Sequence, residues 1–393
     1  MKKALGTAVL AFLFLAMGCG TKEVSSFSQT QIDSGSEPPL VTPPVIPPIT
    51  RAPETALDPD QLSCQAQYRF NNTKKSASLL RSAPDDIFED PIFSNDNENR
   101  SMLVAEGEHY SRKIVNAAQA WAITEGSPDV TVALVDSGVE VSHPDLQGNI
   151  YTDANGDHGW DFVLNKPVTS DGTGHGTHCA GNIAAVRNGF GVIGVAPKVK
   201  VMPVRFIGPT GSGSTSNAIR AIYYAVDHGA KVISNSWGGS SSVNLCLQKA
   251  IEFALSRGIY FVASGSNSGK NLDNSPSYPA SYPDVIAVGN SNSSDQKASS
   301  SGYGVKSVFM FAPGTNILST TTASRGYYRE ATGTSMSAPQ VAGAIALALS
   351  IKPNITREVL LKELCESSAQ VLKSYSKCGR LDLGEFIKRI SQL

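Results

Sequence analysis

The chain has 393 residues, a formal net charge of −1, and 41% hydrophobic and 17% charged residues. That composition is ordinary for a soluble globular protein. A charge balance this close to zero gives no electrostatic basis for binding nucleic acid, and the only long apolar run lies at the N-terminus.

Met1-Lys2-Lys3 is a short basic start, and Ala4 to Met17 is apolar but too short to span a bilayer comfortably. Together they read as an export signal. Leu15-Ala16-Met17-Gly18-Cys19 resembles the lipobox of bacterial lipoproteins. The resemblance implies a signal over residues 1–18, cleavage before Cys19 and lipidation of that cysteine. The alternative is an ordinary secretory signal that ends near a cysteine. Gly20 stands where an inner-membrane retention aspartate would be, which favours the outer membrane if the host is Gram-negative. Residues 19–60 carry Pro38-Pro39, Pro43-Pro44 and Pro47-Pro48. Prolines fix φ and favour an extended spacer, of roughly 120 Å at most for some forty residues. Residues 61–105 contain Cys64, Lys74-Lys75 and an acidic run from Asp85 to Asp90. They read as a short propeptide or as an N-terminal extension wrapped on the following domain.

Strand and helix patterns alternate over residues 106–393. A helix is predicted over Ile114 to Ile123. Val130 to Val135 is a continuous, mostly β-branched run, as expected of a strand covered on both faces. Lys200 to Phe206 is similar. Ser216 to His228 places Ile219, Ile222, Tyr223 and Val226 on one helical face. Strands over Lys231 to Ser234 and Ile259 to Ala263 flank a helix over Leu245 to Arg257. Val285 to Val288 is a further strand, and Gln340 to Ser350 a buried helix. Such alternation implies an α/β fold, a mostly parallel doubly wound sheet with helices on both faces. In such sheets, sites form at the carboxyl ends of strands, where Asp136 falls.

Three stretches carry the chemistry. Val132-Ala133-Leu134-Val135-Asp136-Ser137-Gly138 ends in an acid. Gly174-His175-Gly176-Thr177-His178-Cys179-Ala180-Gly181 offers a base whose pKa lies near working pH. Gly333-Thr334-Ser335-Met336-Ser337-Ala338-Pro339 delivers a serine to a helix start, where unpaired N–H groups and the macrodipole stabilise an oxyanion. On these motifs the chain resembles the subtilisin-like serine proteases, or subtilases, over roughly Ile114 to Leu383.

The resemblance implies that Asp136 orients His175, that His175 takes the proton of Ser335, and that His178 is a structural neighbour. Asn267 matches the side-chain oxyanion donor, although Ser266 replaces the glycine that usually precedes it. Ser236, Trp237 and Gly238 match the segment that pairs with an extended substrate, and Ala263, Ser264 and Gly265 its facing wall. Ser277 falls near the floor of the primary specificity pocket. No acidic residue occupies these positions, which argues against strict selection for basic side chains. Val186 to Val192 resembles a calcium loop. Asn188 would give a side-chain oxygen, Val186, Phe190 and Val192 their carbonyls, and Asp145 a carboxylate, with Glu106 or Glu108 as a further ligand. Oxygen ligands suit a hard cation; the alternative is a glycine-rich turn without metal. Export permits disulfides. Cys365 and Cys378 bracket a short loop and are the expected pair; Cys64 with Cys246 would pin the N-terminal extension to the domain; Cys179 is expected to be buried and free.

The resulting expectation is a monomeric, lipid-anchored, extracytoplasmic serine endopeptidase acting on peptides or proteins. Two rivals are a peptide ligase of the same chemistry and a non-catalytic, surface-tethered peptide-binding module.

Overall fold

The computed structural model describes Cys64, the backbone of Ile87–Glu89, and residues 109–168 and 170–393. The signal, the tether, Cys19, Glu106, Glu108 and most of residues 61–105 lie outside the described residues.

The strands, in chain order, are β1 (Ile87–Glu89), β2 (Thr131–Asp136), β3 (Trp160–Asp161), β4 (Lys166–Pro167), β5 (Lys200–Arg205), β6 (Ser212–Ser214), β7 (Val232–Asn235), β8 (Tyr260–Ser264), β9 (Ile286–Ser291), β10 (Met310–Pro313), β11 (Ile317–Thr320) and β12 (Tyr328–Ala331). The helices are α1 (Tyr110–Ile114), α2 (Ala117–Trp121), α3 (His175–Ala184), α4 (Thr215–Asp227), α5 (Leu245–Ser256), α6 (Thr334–Ile351), α7 (Arg357–Glu366) and α8 (Leu383–Gln392). Eight strands form one sheet in the order β10-β9-β8-β7-β2-β5-β3-β4. Every pair in it is parallel except β3 with β4.

β2 explains the architecture. All six of its residues are buried. Val132 and Leu134 join the core that holds α3 and α6, whereas Ala133 and Val135 join the core beneath α4 and α5. Alternate side chains thus feed opposite faces, as a two-sided parallel sheet requires. β2 pairs with β5 on one side and β7 on the other. The crossover through α3 reaches β5, and the crossover through α4 returns past β2 to β7. The strand order therefore reverses at β2, and the crevice beyond its carboxyl end is the expected place for a site. Asp136 is its last residue.

α6 is long and apolar enough to cross a membrane, but 89% of it is buried inside the domain. Apolar residues on all its faces make it the central core helix instead. It begins at Thr334, six residues before the predicted start, and takes Pro339 into its interior. The predicted helix over Ile114 to Ile123 is two short helices. Asn116 between them is left-handed, with φ +57°. Its side chain bonds Asp382 at 2.9 Å, just before α8. The other predicted strands and helices appear within one to three residues of their expected bounds. Cys365–Cys378 and Cys64–Cys246 are both disulfides, with Cα–Cα distances of 5.1 and 5.3 Å. Cys179 is buried and free.

Candidate active site

Asp136 is wholly buried at the end of β2. Its Oδ1 accepts from His175 Nδ1–H at 2.8 Å and from the Ser137 N–H at 2.7 Å. His175 opens α3, and the residue before it, Gly174, has φ +84°, which glycine adopts without strain. Close approach of α3 to the β2 exit also needs glycine at 176, because a Cβ there would lie 2.1 Å from the Gly138 carbonyl oxygen. Asp171 fixes the approach. Its carboxylate accepts from the N–H groups of Thr173 and Thr177, at 2.9 and 2.8 Å, and from the hydroxyls of Thr177 and Ser137, at 2.7 and 2.8 Å. It ties the first turn of α3 to the residue after Asp136. Sequence reasoning missed Asp171. The only signal available was an Asp in the turn just before the helix-opening His.

Ser335 is the second residue of α6. Its hydroxyl donates to the Ser236 carbonyl at 3.0 Å, and the Ser236 hydroxyl donates to the Ser335 carbonyl at 2.9 Å. The thiol of Cys179 donates to that same carbonyl at 3.4 Å. Within an α-helix the Ser335 carbonyl would accept from residue 339, but Pro339 has no N–H. The helix interior thereby leaves one carbonyl for tertiary partners. Cys179 Sγ also lies 4.0 Å from His175 Nδ1. Burial pushes the Cys179 thiol pKa up, so it stays neutral beside the acid and the imidazole.

Asn267 Oδ1 accepts from the Thr334 N–H at 2.9 Å and the Thr334 hydroxyl at 3.0 Å. That bond fixes the amide over the start of α6 and leaves its NH₂ as donor. Ser266 has φ +70°, which explains why glycine suits that position. The serine tolerates it at a cost of about 1–2 kcal/mol.

Ser236 and Trp237 leave the end of β7, and Ala263, Ser264 and Gly265 the end of β8. Trp237 is wholly buried; its Nε1–H donates to the Val135 carbonyl at 2.9 Å and its ring packs on Phe206 at 4.8 Å. Its side chain belongs to the core. A Cβ on Gly238 would lie 3.2 Å from the Tyr278 carbonyl oxygen. Ser277 precedes that tyrosine, and its N–H donates to Ser281 at 3.0 Å.

The loop from Val186 to Val192 gathers on Asp145, which is wholly buried. The Asp145 carboxylate accepts from Asn188 Nδ2 at 3.0 Å and from the Val192 N–H at 2.9 Å, and its carbonyl from the Val186 N–H at 2.8 Å. The Phe190 N–H donates to Asn188 Oδ1 at 3.3 Å.

One buried cation stands behind the site and was not anticipated. Arg112 reaches from α1 to Asn182 Oδ1 on α3 and Gln340 Oε1 on α6, both at 3.1 Å, and to the Ile193 carbonyl at 2.9 Å. It braces the helix that carries His175 against the helix that carries Ser335. Burial lowers its pKa to about 10, so it remains charged at neutral pH.

An acid and an imidazole joined at the switch point of a parallel sheet, with a serine at an adjacent helix start, is a constellation for nucleophilic attack on a carbonyl. Residues 127–381 match the family described as the subtilase family, Peptidase_S8. The chain belongs to the subtilase family. It is 43% identical to thermitase from Thermoactinomyces vulgaris over 242 residues, which cover 61% of this chain and 82% of that protein. It is 36% identical to subtilisin amylosacchariticus from Bacillus subtilis subsp. amylosacchariticus over 311 residues, 78% of each. Among solved structures, a lanthipeptide protease superimposes with a TM-score of 0.62 at 28% identity, covering 72% of this chain and 93% of that one. This subtilase is a serine endopeptidase. Subtilases are typically secreted or extracytoplasmic and generally bind calcium; two disulfides suit an oxidising compartment.

Proposed function

We propose that Asp136, His175 and Ser335 are the catalytic triad of this endopeptidase, with Asn267 as oxyanion donor. The observation that carries the reading is the 2.8 Å Asp136–His175 bond, made in the crevice beside the start of α6. Asp136 holds the Nδ1–H tautomer, which leaves Nε2 basic. Rotation of the Ser335 hydroxyl from Ser236 towards His175 hands over its proton as Oγ attacks the scissile carbonyl. The oxyanion takes the Asn267 NH₂ and the Ser335 N–H. His175 then protonates the leaving amine, and water hydrolyses the acyl-enzyme. The substrate backbone lies between Ser236–Gly238 and Ala263–Gly265, with Ser277 near the floor of the primary pocket.

The loop around Asp145 fits calcium: a buried carboxylate, an amide side chain and three carbonyls are oxygen donors for a hard cation. Asp145, Asn188, Val186, Phe190 and Val192 would hold it, and the ion would stiffen the loop rather than take part in the chemistry. The Leu15–Cys19 motif supports lipidation of Cys19 after removal of residues 1–18, with residues 19–60 as a spacer between membrane and catalytic domain. Every residue of the site comes from one chain, so a monomer suffices.

Casein hydrolysis by Ser335→Ala and His175→Ala tests the triad. Each substitution lowers kcat by about four orders of magnitude or more, with folding unchanged by circular dichroism. Near-normal turnover in either variant contradicts the assignment.

A further inference from the structure

The two walls assigned to the substrate belong to one side of the sheet, since Trp237 and Ala263 are part of the core beneath α4 and α5. The β11–β12 hairpin belongs to the other. Its Ile317, Leu318, Tyr328 and Ala331 pack into the core that holds α3 and α6, and β12 ends four residues before Ser335. A peptide held by the walls up to Ser335 continues past it towards this hairpin with its leaving-group half.

The hairpin is fastened to the helix that carries His175. Ser319 Oγ and Thr320 Oγ1 donate to the carbonyls of His178 and Thr177, at 2.8 and 2.7 Å. Its tip is a 3₁₀ turn over Ala323–Arg325. The Thr321 N–H donates to the Tyr327 carbonyl at 2.6 Å, and the Arg325 N–H to the Thr322 carbonyl at 2.9 Å. Both carboxylate oxygens of Glu140 accept from the Ala323 N–H, at 3.1 and 3.2 Å. The turn is thereby fixed from within and from the loop after β2.

Arg325 leaves this turn and lies against Gly174, the residue before His175. A Cβ on Gly174 would stand 3.0 Å from Arg325 Cδ, 3.4 Å from its Nε and 2.7 Å from Thr321 Oγ1. A residue without a side chain at 174 is what makes room for the arginine stem. Arg325 is exposed, and among the described residues it makes no ion pair. The residues assigned to the walls and the oxyanion site, Ser236, Trp237, Ala263, Ser264, Asn267 and Ser277, carry no charge. Arg205, at the end of β5, is buried and paired with Asp161 at 3.0 Å, so its charge is already matched. A guanidinium without a partner, on a fixed mount beside the leaving-group path, is a recognition group for a carboxylate.

We propose that Arg325 is a specificity-determining residue, which favours substrates with an aspartate or glutamate among the first three residues after the scissile bond. The proposal rests on the triad assignment above and names a substrate class for that site. Three residues of extended chain cover about 10 Å beyond the reacting carbonyl. An exposed ion pair of this kind changes binding by up to about fivefold, and salt screens it.

The test uses the full chain and internally quenched peptides with a single cleavage site, confirmed by mass. The peptides are amidated at the C-terminus, so that a side chain supplies their only carboxylate. They differ in carrying Asp or Asn at one of the three positions before or after the cleaved bond. The quantity read is the ratio of kcat/KM for each Asp peptide to that of its Asn partner. A ratio of about three to five is expected at one or more positions after the bond in low salt, falling towards one in about 0.5 M sodium chloride. Arg325→Gln should bring the ratio to one at every salt concentration, Arg325→Lys should keep most of it, and Arg325→Glu should take it below one. A substitution that only loosened the hairpin would slow both peptides alike and leave the ratio as it was. A ratio of one in the unaltered enzyme, a preference that survives Arg325→Gln, or a preference confined to positions before the bond overturns the proposal. Failure to hydrolyse any of the peptides overturns the triad reading instead, and the proposal with it.

Discussion

Two histidines outside the triad set the response to acid. The Nε2–H of His178 donates to the Ile317 and Arg329 carbonyls at 3.0 and 3.2 Å, while its Nδ1 faces Asn182 Nδ2 at 3.3 Å. His143 Nε2–H donates to the Tyr327 carbonyl at 3.0 Å, and its Nδ1 accepts from the Asp145 N–H at 3.1 Å. Both rings are neutral in the fold, each with a donor and an acceptor in use. Burial lowers the pKa from 6.5 to about 3 for His178 and about 4 for His143. Between those values and 6.5 the unfolded chain binds protons that the folded chain does not. Stability is therefore full above about pH 6.5 and falls as pH drops through the window, by about 1.4 kcal/mol per pH unit for each histidine. Urea unfolding at pH 7, 6 and 5 measures this slope, and His178→Gln, which keeps a donor but cannot titrate, should remove about half of it. An unchanged slope in that variant would remove His178 from the account. These roles were only partly legible in the sequence. His178 followed from its place in a motif, but His143, Asp171 and Arg112 are polar residues of the kind most often found at surfaces. The burial of His143 and Arg112 depends on partners far along the chain, Tyr327 for the first and Gln340 for the second.

Among the elements, the central strands were readable because a strand covered on both faces is apolar along its middle, as Val132–Val135 of β2, Val201–Val204 of β5 and Phe261–Ala263 of β8 are. The start of α6 was not. The predicted helix begins at Gln340, directly after Pro339, whereas the observed helix runs through that proline and passes its missing hydrogen bond to Ser236 and Cys179. β3, β4 and the β11–β12 hairpin are two to four residues long, too short to show a period. The C-terminal helices α7 and α8 are joined across a loop closed by Cys365–Cys378, which are 13 residues apart. A loop of that size gives about 3 kcal/mol by the chain-entropy relation. Cys365→Ser/Cys378→Ser should lower the free energy of unfolding by that order in guanidinium titration. A loss under a few tenths of a kcal/mol would mean that the two helices hold the loop closed without the bond.

At the scale of the whole molecule, two cores are assembled on opposite faces of one sheet, and the Asp145 loop lies on the α3 side. A cation bound only by the folded loop stabilises by mass action. Removing calcium with a chelator should lower the unfolding temperature by several degrees, and Asp145→Ala should abolish the difference between chelated and calcium-loaded protein. An equal response in the variant would place the ion elsewhere. The same scale holds what the sequence could only pose as a choice. Cys64 had one plausible partner, but its pairing across 182 residues became definite only in the assembled fold. So did the pairing of Ile87–Glu89 with β6, because three residues of ordinary polarity carry no signal of their own.

The central claim is that Asp136, His175 and Ser335 act as one assembled nucleophilic site. Peptide mass mapping after treatment of the folded, calcium-loaded protein with a fluorophosphonate tests it most directly. The expected result is a single adduct on the peptide that carries Ser335, absent in Ser335→Ala and formed about four orders of magnitude more slowly in Asp136→Asn, where the imidazole loses its held tautomer. No adduct in the folded protein, or an adduct on another serine that survives Ser335→Ala, would contradict it.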